Sequence, residues 1–281
     1  MNLNKTIESI KNLVIYTLLI LAVIVSVLPL MWAFASSLRP PSETFKHTTP
    51  LTIEAIFPSN FDLSAYAHIL QDGFAQNVLN SLFVSGAIVL GGLFINSLAA
   101  FGFAAFNFPG KGPLFALVLA TFLVSLEVIV VPLFLVVREF GMLDSYAALI
   151  VPALADAFAI FLLRQAFLEI PRDLIDAARI DGASWFKVYL RVALPLSRAS
   201  LATAGLFMFI ASWDAFFWPL VATRSAELGV VQLGVNRYIT SSFIAWDRVF
   251  ASSMIASGVV LMLFLVLQRF YVRGITLTGL K

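Results

Sequence analysis

Cysteine is absent from the 281 residues, which excludes disulfide frameworks, thiol nucleophiles and cysteine-ligated metals. Charge is scarce as well: 12% of the residues are Asp, Glu, Lys or Arg, about half the share found in soluble domains. Too few charges remain to coat a water-soluble globule. A net charge of +2, spread over many loops, offers no basic face for nucleic acid. Histidine occurs twice, at His47 and His68, without the clustered ligands that a metal site needs. No Gly-x-x-x-x-Gly-Lys-Ser/Thr loop exists, since Gly110-Lys111-Gly112 lacks that spacing, so the chain does not bind and cleave ATP by that route. Nor do the apolar segments carry a Ser/His, paired-Asp or His-Glu-x-x-His arrangement, and an intramembrane enzyme is disfavoured accordingly.

What the chain has in quantity is hydrophobic sequence, 60% of its residues. Apolar runs of 18 or more residues are long enough to cross a hydrocarbon core of about 30 Å. They predict an all-α, polytopic transmembrane bundle of six spans, at roughly 13–37, 79–106, 113–137, 146–168, 199–221 and 250–271. Residues 1–12 and 272–281 are then short tails around the 13–271 transmembrane body. Ala33-Phe34-Ala35 looks like a signal-peptide cleavage site, but its apolar run exceeds a signal core of about 7–15 residues, so an uncleaved anchor is expected. An even number of spans puts both termini on one side. If that side is cytoplasmic, twelve of the Lys and Arg residues fall inside and six outside, as the positive-inside tendency requires.

The longest cytoplasmic connection, about 169–198, is also the most charged part of the chain. Pro171 suits a helix start, Asp173 the positive end of its dipole and Gly182 a break or C-terminal cap. The pattern predicts a short helix on which Ile170, Leu174, Ala177 and Ala178 share a narrow apolar face that another protein's groove could approach. Asp176, Arg179 and Asp181 lie near its rim. A second helical pattern through Trp185, Phe186, Tyr189 and Val192 then leads to Leu194-Pro195 and the fifth span.

The run Asp176-Ala177-Ala178, followed by Asp181-Gly182-Ala183, Val192 and Leu194-Pro195, resembles the cytoplasmic signature loop of binding-protein-dependent ABC importer permeases. Asp176 stands where that family usually has Glu, which keeps the acid and shortens its reach by one methylene. Leu143-Asp144-Ser145-Tyr146, Phe161-Leu162-Leu163-Arg164-Gln165 and Trp213-Asp214 through Trp218-Pro219 are similar to the maltose and glycerol-3-phosphate branch. The resemblance implies a type I importer fold, a carbohydrate or polyol as solute, and a bacterial or archaeal plasma membrane. It implies partners as well: a second homologous permease, two ATPase subunits that use ATP and Mg, and an extracytoplasmic solute-binding protein. The chain itself would bind no cofactor and catalyse no reaction. Leu174, Asp176, Ala177, Ala178, Asp181, Gly182 and Ala183 are its ATPase-coupling residues.

Glu127, Asp156 and Asp214 are costly in hydrocarbon and should face a cavity or a partner group. At about 1.5 Å per residue they lie roughly 21, 18 and 22 Å above the inner ends of their spans. They either line a solute cavity, where negative charge favours neutral sugars over anions, or accept interhelical hydrogen bonds that lock the bundle. Trp213 could offer a sugar ring a flat apolar face. A proton-coupled carrier using the three carboxylates is the alternative, but it would have no need of the signature loop.

Overall fold

The computed structural model describes residues 3–46, 48, 52–58, 60–240 and 244–278, and His47 lies outside them. Among the described residues there are helices and connections but no strand, as an apolar chain that must satisfy its own backbone in lipid requires. Three helices are long and apolar enough to span alone: α1 (Leu3–Ser37, through its Ile10–Ser37 stretch) and two later ones described below. Three further spans are bent helix pairs, which brings the count to the expected six if each pair crosses once.

Residues 1–73 and 235–255 form one compact unit. Residues 10–31 of α1 are exposed along their length, whereas Ala35, Ser36 and Ser37 at its end are buried. The Ser37 and Tyr66 hydroxyls lie 2.8 Å apart, Asp62 N donates to the Leu38 carbonyl (2.8 Å), and the buried Arg39 guanidinium donates to the Glu54 carbonyl. Tyr66 belongs to α2 (Ser64–Gln71). Asp72 accepts from Arg248 through its carboxylate (3.2 Å) and from Arg237 through its carbonyl (3.1 Å). Burial, reinforced by the negative charge of Asp72, pushes the Tyr238 hydroxyl up to about 12.

Residues 74–234 and 256–281 form the second unit. Its central element is α3 (Phe74–Ala105), the second long span. Next come α4 (Lys111–Phe122) and α5 (Leu126–Glu139), bent by 101° where Ser125 takes extended backbone. The expected third span is thus sharply broken, with no Gly or Pro at the break to announce it. In the fourth, α6 (Tyr146–Ile150) and a 3-10 turn over Val151–Ala153 meet α7 (Ala157–Leu168) at 43°.

The connection between the fourth and fifth spans folds into α8 (Arg172–Ile180) and α9 (Trp185–Val188), followed by a π-turn over Tyr189–Ala193 and the short α10 (Leu194–Leu196). An 82° bend then opens α11 (Arg198–Trp213). Sequence alone predicts a span continuing to about 221, but α11 ends at Trp213 and a separate α12 (Phe217–Ala222) follows. Pro219 supplies the reason: within one helix it would delete a backbone hydrogen bond, whereas in the first turn of α12 the missing N–H has no partner to lose. Two helices remain, α13 (Val231–Thr240) and α14 (Trp246–Thr278), whose Trp246–Gln268 stretch is the third long span.

A buried asparagine splices the break in the fourth span. Asn96 is fully buried on α3; its side chain donates to the Leu154 carbonyl (2.9 Å) and accepts from Asp156 N (3.0 Å). These are backbone groups that a continuous helix would have paired internally. On the same helix Gly92 lets the Leu154 segment come close, for a Cβ there would lie 3.1 Å from the Leu154 carbonyl oxygen and 2.1 Å from the end of the Met208 side chain.

Candidate coupling helix and solute cavities

The connection between the fourth and fifth spans is built around the end of α8. Gly182 adopts φ +77°, Gly182 N donates to the Arg179 carbonyl (3.1 Å) and Ala183 N to the Ala178 carbonyl (3.0 Å). That pair of bonds around a left-handed glycine is the Schellman motif, which ends the helix and turns the chain. Pro171 precedes the first helical residue instead of occupying it, a shift of one position. Beyond the turn, Ser184 caps α9 by accepting from Lys187 N (3.3 Å).

Arg179 ties the two helices together. Its guanidinium donates to the Ala183 carbonyl (2.6 Å) and lies 4.8 Å from the Trp185 ring centroid. Trp185 in turn packs edge-on against Phe106 (4.9 Å), just past the end of α3. The Tyr189 hydroxyl, buried in the π-turn, is 2.7 Å from that of Ser97 on α3. The α8–α9 segment is therefore tied to α3 and to the residue just past its end through aromatic and hydroxyl contacts.

The faces of α8 differ from the sequence expectation. Ile175 and Ala178 pack against the core, and Ala183 is buried; Leu174, Ala177 and Ile180 point outward. Ile180 is 86% exposed. Residues 174, 177 and 180 make an outward apolar stripe at i, i+3 spacing, with the exposed Asp173, Asp176 and Asp181 beside it. A helix of nine residues with apolar groups on two sides gives no periodicity that separates the face against its own bundle from the face left open. Ile175 and Ile180 are the residues that the sequence reading missed. Behind the helix lies a cavity of about 160 Å³ lined by Phe101, Phe167, Ile175, Asp176 and Trp185.

The intramembrane acids are not gathered in one place. Asp156 caps α7 by accepting from Ala159 N (2.6 Å), and it lines a cavity of about 360 Å³ with Ile88, Leu133, Ser212 and Trp218. Asp214, just after α11, accepts from Gln232 (3.3 Å) and lines a second cavity of about 430 Å³ with Trp213, Gln232 and Ser257. Trp213 is 1% exposed and stacked on Phe209 at 5.4 Å. Glu127 is exposed on the first turn of α5 and lines neither cavity. No Lys, Arg or His lines either one among the described residues.

The profile of the family described as binding-protein-dependent transport system inner membrane component matches residues 92–276, from the middle of α3 through α8 and α9 into α14. The chain belongs to this family. An arabinooligosaccharide transport system permease protein of Halalkalibacterium halodurans is 30% identical over 259 residues, covering 92% of each chain. An sn-glycerol-3-phosphate transport system permease protein of Brucella abortus is 30% identical over 280 residues, covering 96% of this chain and 97% of the relative. Among solved structures, a chain of a bacterial ABC transporter involved in import of the acidic polysaccharide alginate superposes with a TM-score of 0.81 at 23% identity. That match covers 94% of this chain and 97% of the other, and it shows a shared fold. The binding-protein-dependent permease described here is thus a membrane transport protein whose match to these relatives runs over most of both chains.

Proposed function

We propose that this permease is one half of the solute pathway of an ATP-driven importer for neutral carbohydrates. A second homologous permease completes the pathway. Two separate ATPase subunits, which bind the ATP and Mg, receive one cytoplasmic helix from each permease, and an extracytoplasmic binding protein delivers the solute. The observation that carries this reading is α8, a cytoplasmic helix cocked by Gly182 that offers Leu174, Ala177 and Ile180 to a partner while Ile175 and Ala178 hold it to the bundle. The apolar stripe and its acidic neighbours call for an apolar groove with a basic rim.

The relatives' names cover both neutral and anionic solutes, so the substrate class rests on the cavities. Each has one carboxylate and no lining cation, and a negative charge on the cavity wall disfavours an anionic guest. We place Asp156 and Asp214 among the polar groups that meet solute. Glu127 would meet it only in a state that brings the start of α5 to the pathway, and Trp213 holds the wall that presents Asp214.

Co-purification from detergent tests the assembly. Wild type should bring down an ATPase and a second permease; Ile180→Glu or Leu174→Glu, both on exposed positions, should lose the ATPase and keep the permease. A wild-type chain that purifies alone and transports without ATP would overturn the proposal in favour of a proton-coupled carrier.

A further inference from the structure

One wall of the 360 Å³ cavity is not a span. Trp218 and Pro219 of the short α12 line it together with Val230, and residues 223–229 connect them. This strap is fastened at two ends of very different character. At the far end, buried Asn80 on α3 donates to the carbonyls of Glu227 (2.7 Å) and Gly229 (2.9 Å) and accepts from Tyr146 (2.9 Å). Val231 N donates to the buried Ser81 hydroxyl (2.7 Å), and Gly229 lies so close to Asn77 that a Cβ there would sit 2.5 Å from its amide nitrogen.

At the near end the fastening residues Asp144, Arg224 and Ser225 are exposed, while the adjoining Ala222 and Thr223 are buried. Asp144, in the connection between α5 and α6, accepts from Arg224 N (2.8 Å), Ser225 N (2.9 Å) and the Ser225 hydroxyl (2.5 Å). Its own N–H donates to the Ala222 carbonyl (2.9 Å). Asp144 is also the one non-glycine residue with positive φ among the described residues, at +56°. Holding a side-chain-bearing residue in the left-handed region costs free energy that its surroundings must offset, and here three bonds from the strap and one to Ala222 at the end of α12 do so. An exposed fastening that holds a strained residue is inexpensive to open; a buried one is not.

We infer that Asp144 is the latch of a gate. The strap 223–229 turns about its buried Asn80–Ser81 end and parts from Asp144 at its exposed end, opening the cavity on the side that faces outward in the orientation proposed above. Binding of the solute-delivering protein or closure of the ATPases would decide whether the latch is made. The inference rests on the transport reading, and its test separates the two.

The natural absence of cysteine makes the test clean. An Asp144→Cys/Ser225→Cys pair, bridged in membranes holding the assembled transporter by a short bis-methanethiosulfonate, each thiolate displacing methanesulfinate to form a disulfide, should lose uptake and recover it when reductant releases the bridge. An equivalent Ser81→Cys/Val231→Cys bridge at the buried end should leave uptake unchanged. Uptake by the unbridged pairs establishes transport independently of the latch. If the bridged Asp144–Ser225 pair transports at the unbridged rate, if no bridge forms, or if the buried-end bridge also stops uptake, the gate assignment is wrong.

Discussion

Gly182 and Asp144, both at φ greater than zero, fix the turn after α8 and the near end of the 223–229 strap, and their chemistry differs. At Gly182 an added Cβ would meet nothing within 4 Å, so Gly182→Ala pays only the left-handed backbone, about 1–2 kcal/mol. Asn tolerates that region better, and thermal unfolding of the purified chain should rank wild type above Asn and Asn above Ala; equal midpoints would mean that the turn is not held left-handed. Asp144 is a charge problem instead. Hydrogen bonds from the Ser225 hydroxyl and N–H, then the Arg224 N–H and the Arg224 charge, hold its carboxyl below the usual carboxylate range. A depressed folded-state pKa adds stability that is present above the unfolded value of about 3.9 and is lost as pH falls through the lower folded value. Asp144→Asn keeps a left-handed-tolerant side chain and removes the charge. It should therefore lower the unfolding midpoint at pH 7 and cease to differ from wild type in acid below the ordinary carboxylate range. A difference that persists unchanged into that range would assign the effect to something other than this titration.

Elements explain which features could be read from the sequence. The apolar runs placed the candidate spans within several residues, except at the outer end of the fifth, because lipid demands length and hydrophobicity, both of which are local properties. The break in the third span was invisible: Leu123 and Val124 suit a helix interior in lipid, and Ser125 carries no breaking signal. In the fourth, Pro152 and Asp156 are helix-stop and helix-start residues, but whether they break a span depends on Asn96, 58 and 60 residues away in sequence from the groups it pairs. The helix–turn–helix of α8 and α9 was legible because Gly182, Arg179 and Trp185 act over a few positions; the partition of its faces was not, because it depends on what the bundle already covers. The splice gives a prediction at this scale. Asn96→Ala leaves the Leu154 carbonyl and Asp156 N–H unpaired in a water-poor site, at about 1–3 kcal/mol each. Thermal unfolding should show a large loss, and Asn96→Asp, which keeps only the acceptor to Asp156 N, should fall between. An Asn96→Ala chain as stable as wild type would mean that water or a rearranged backbone repairs the break.

At the scale of the whole molecule, sidedness decides whether the parts can work together. The Lys and Arg distribution argues for cytoplasmic termini, with Ile180 inside and Ser225 outside. Both positions are exposed, Ile180 at 86%, and neither is needed to hold the core. A cysteine at either is therefore the sole thiol in the chain and is open to reagent. A membrane-impermeant maleimide applied to intact cells should label Ser225→Cys readily and Ile180→Cys only after the membrane is opened. The reverse pattern would put the helix proposed to meet the ATPases on the side without ATP, and the coupling assignment would fall with it. Labelling of Ile180→Cys in opened membranes should also weaken when the ATPase subunits are present, since the stripe of Leu174, Ala177 and Ile180 would be covered. Sidedness and partner contact are thus read from one position, and only the inside location with partner-dependent protection is compatible with an importer driven through α8.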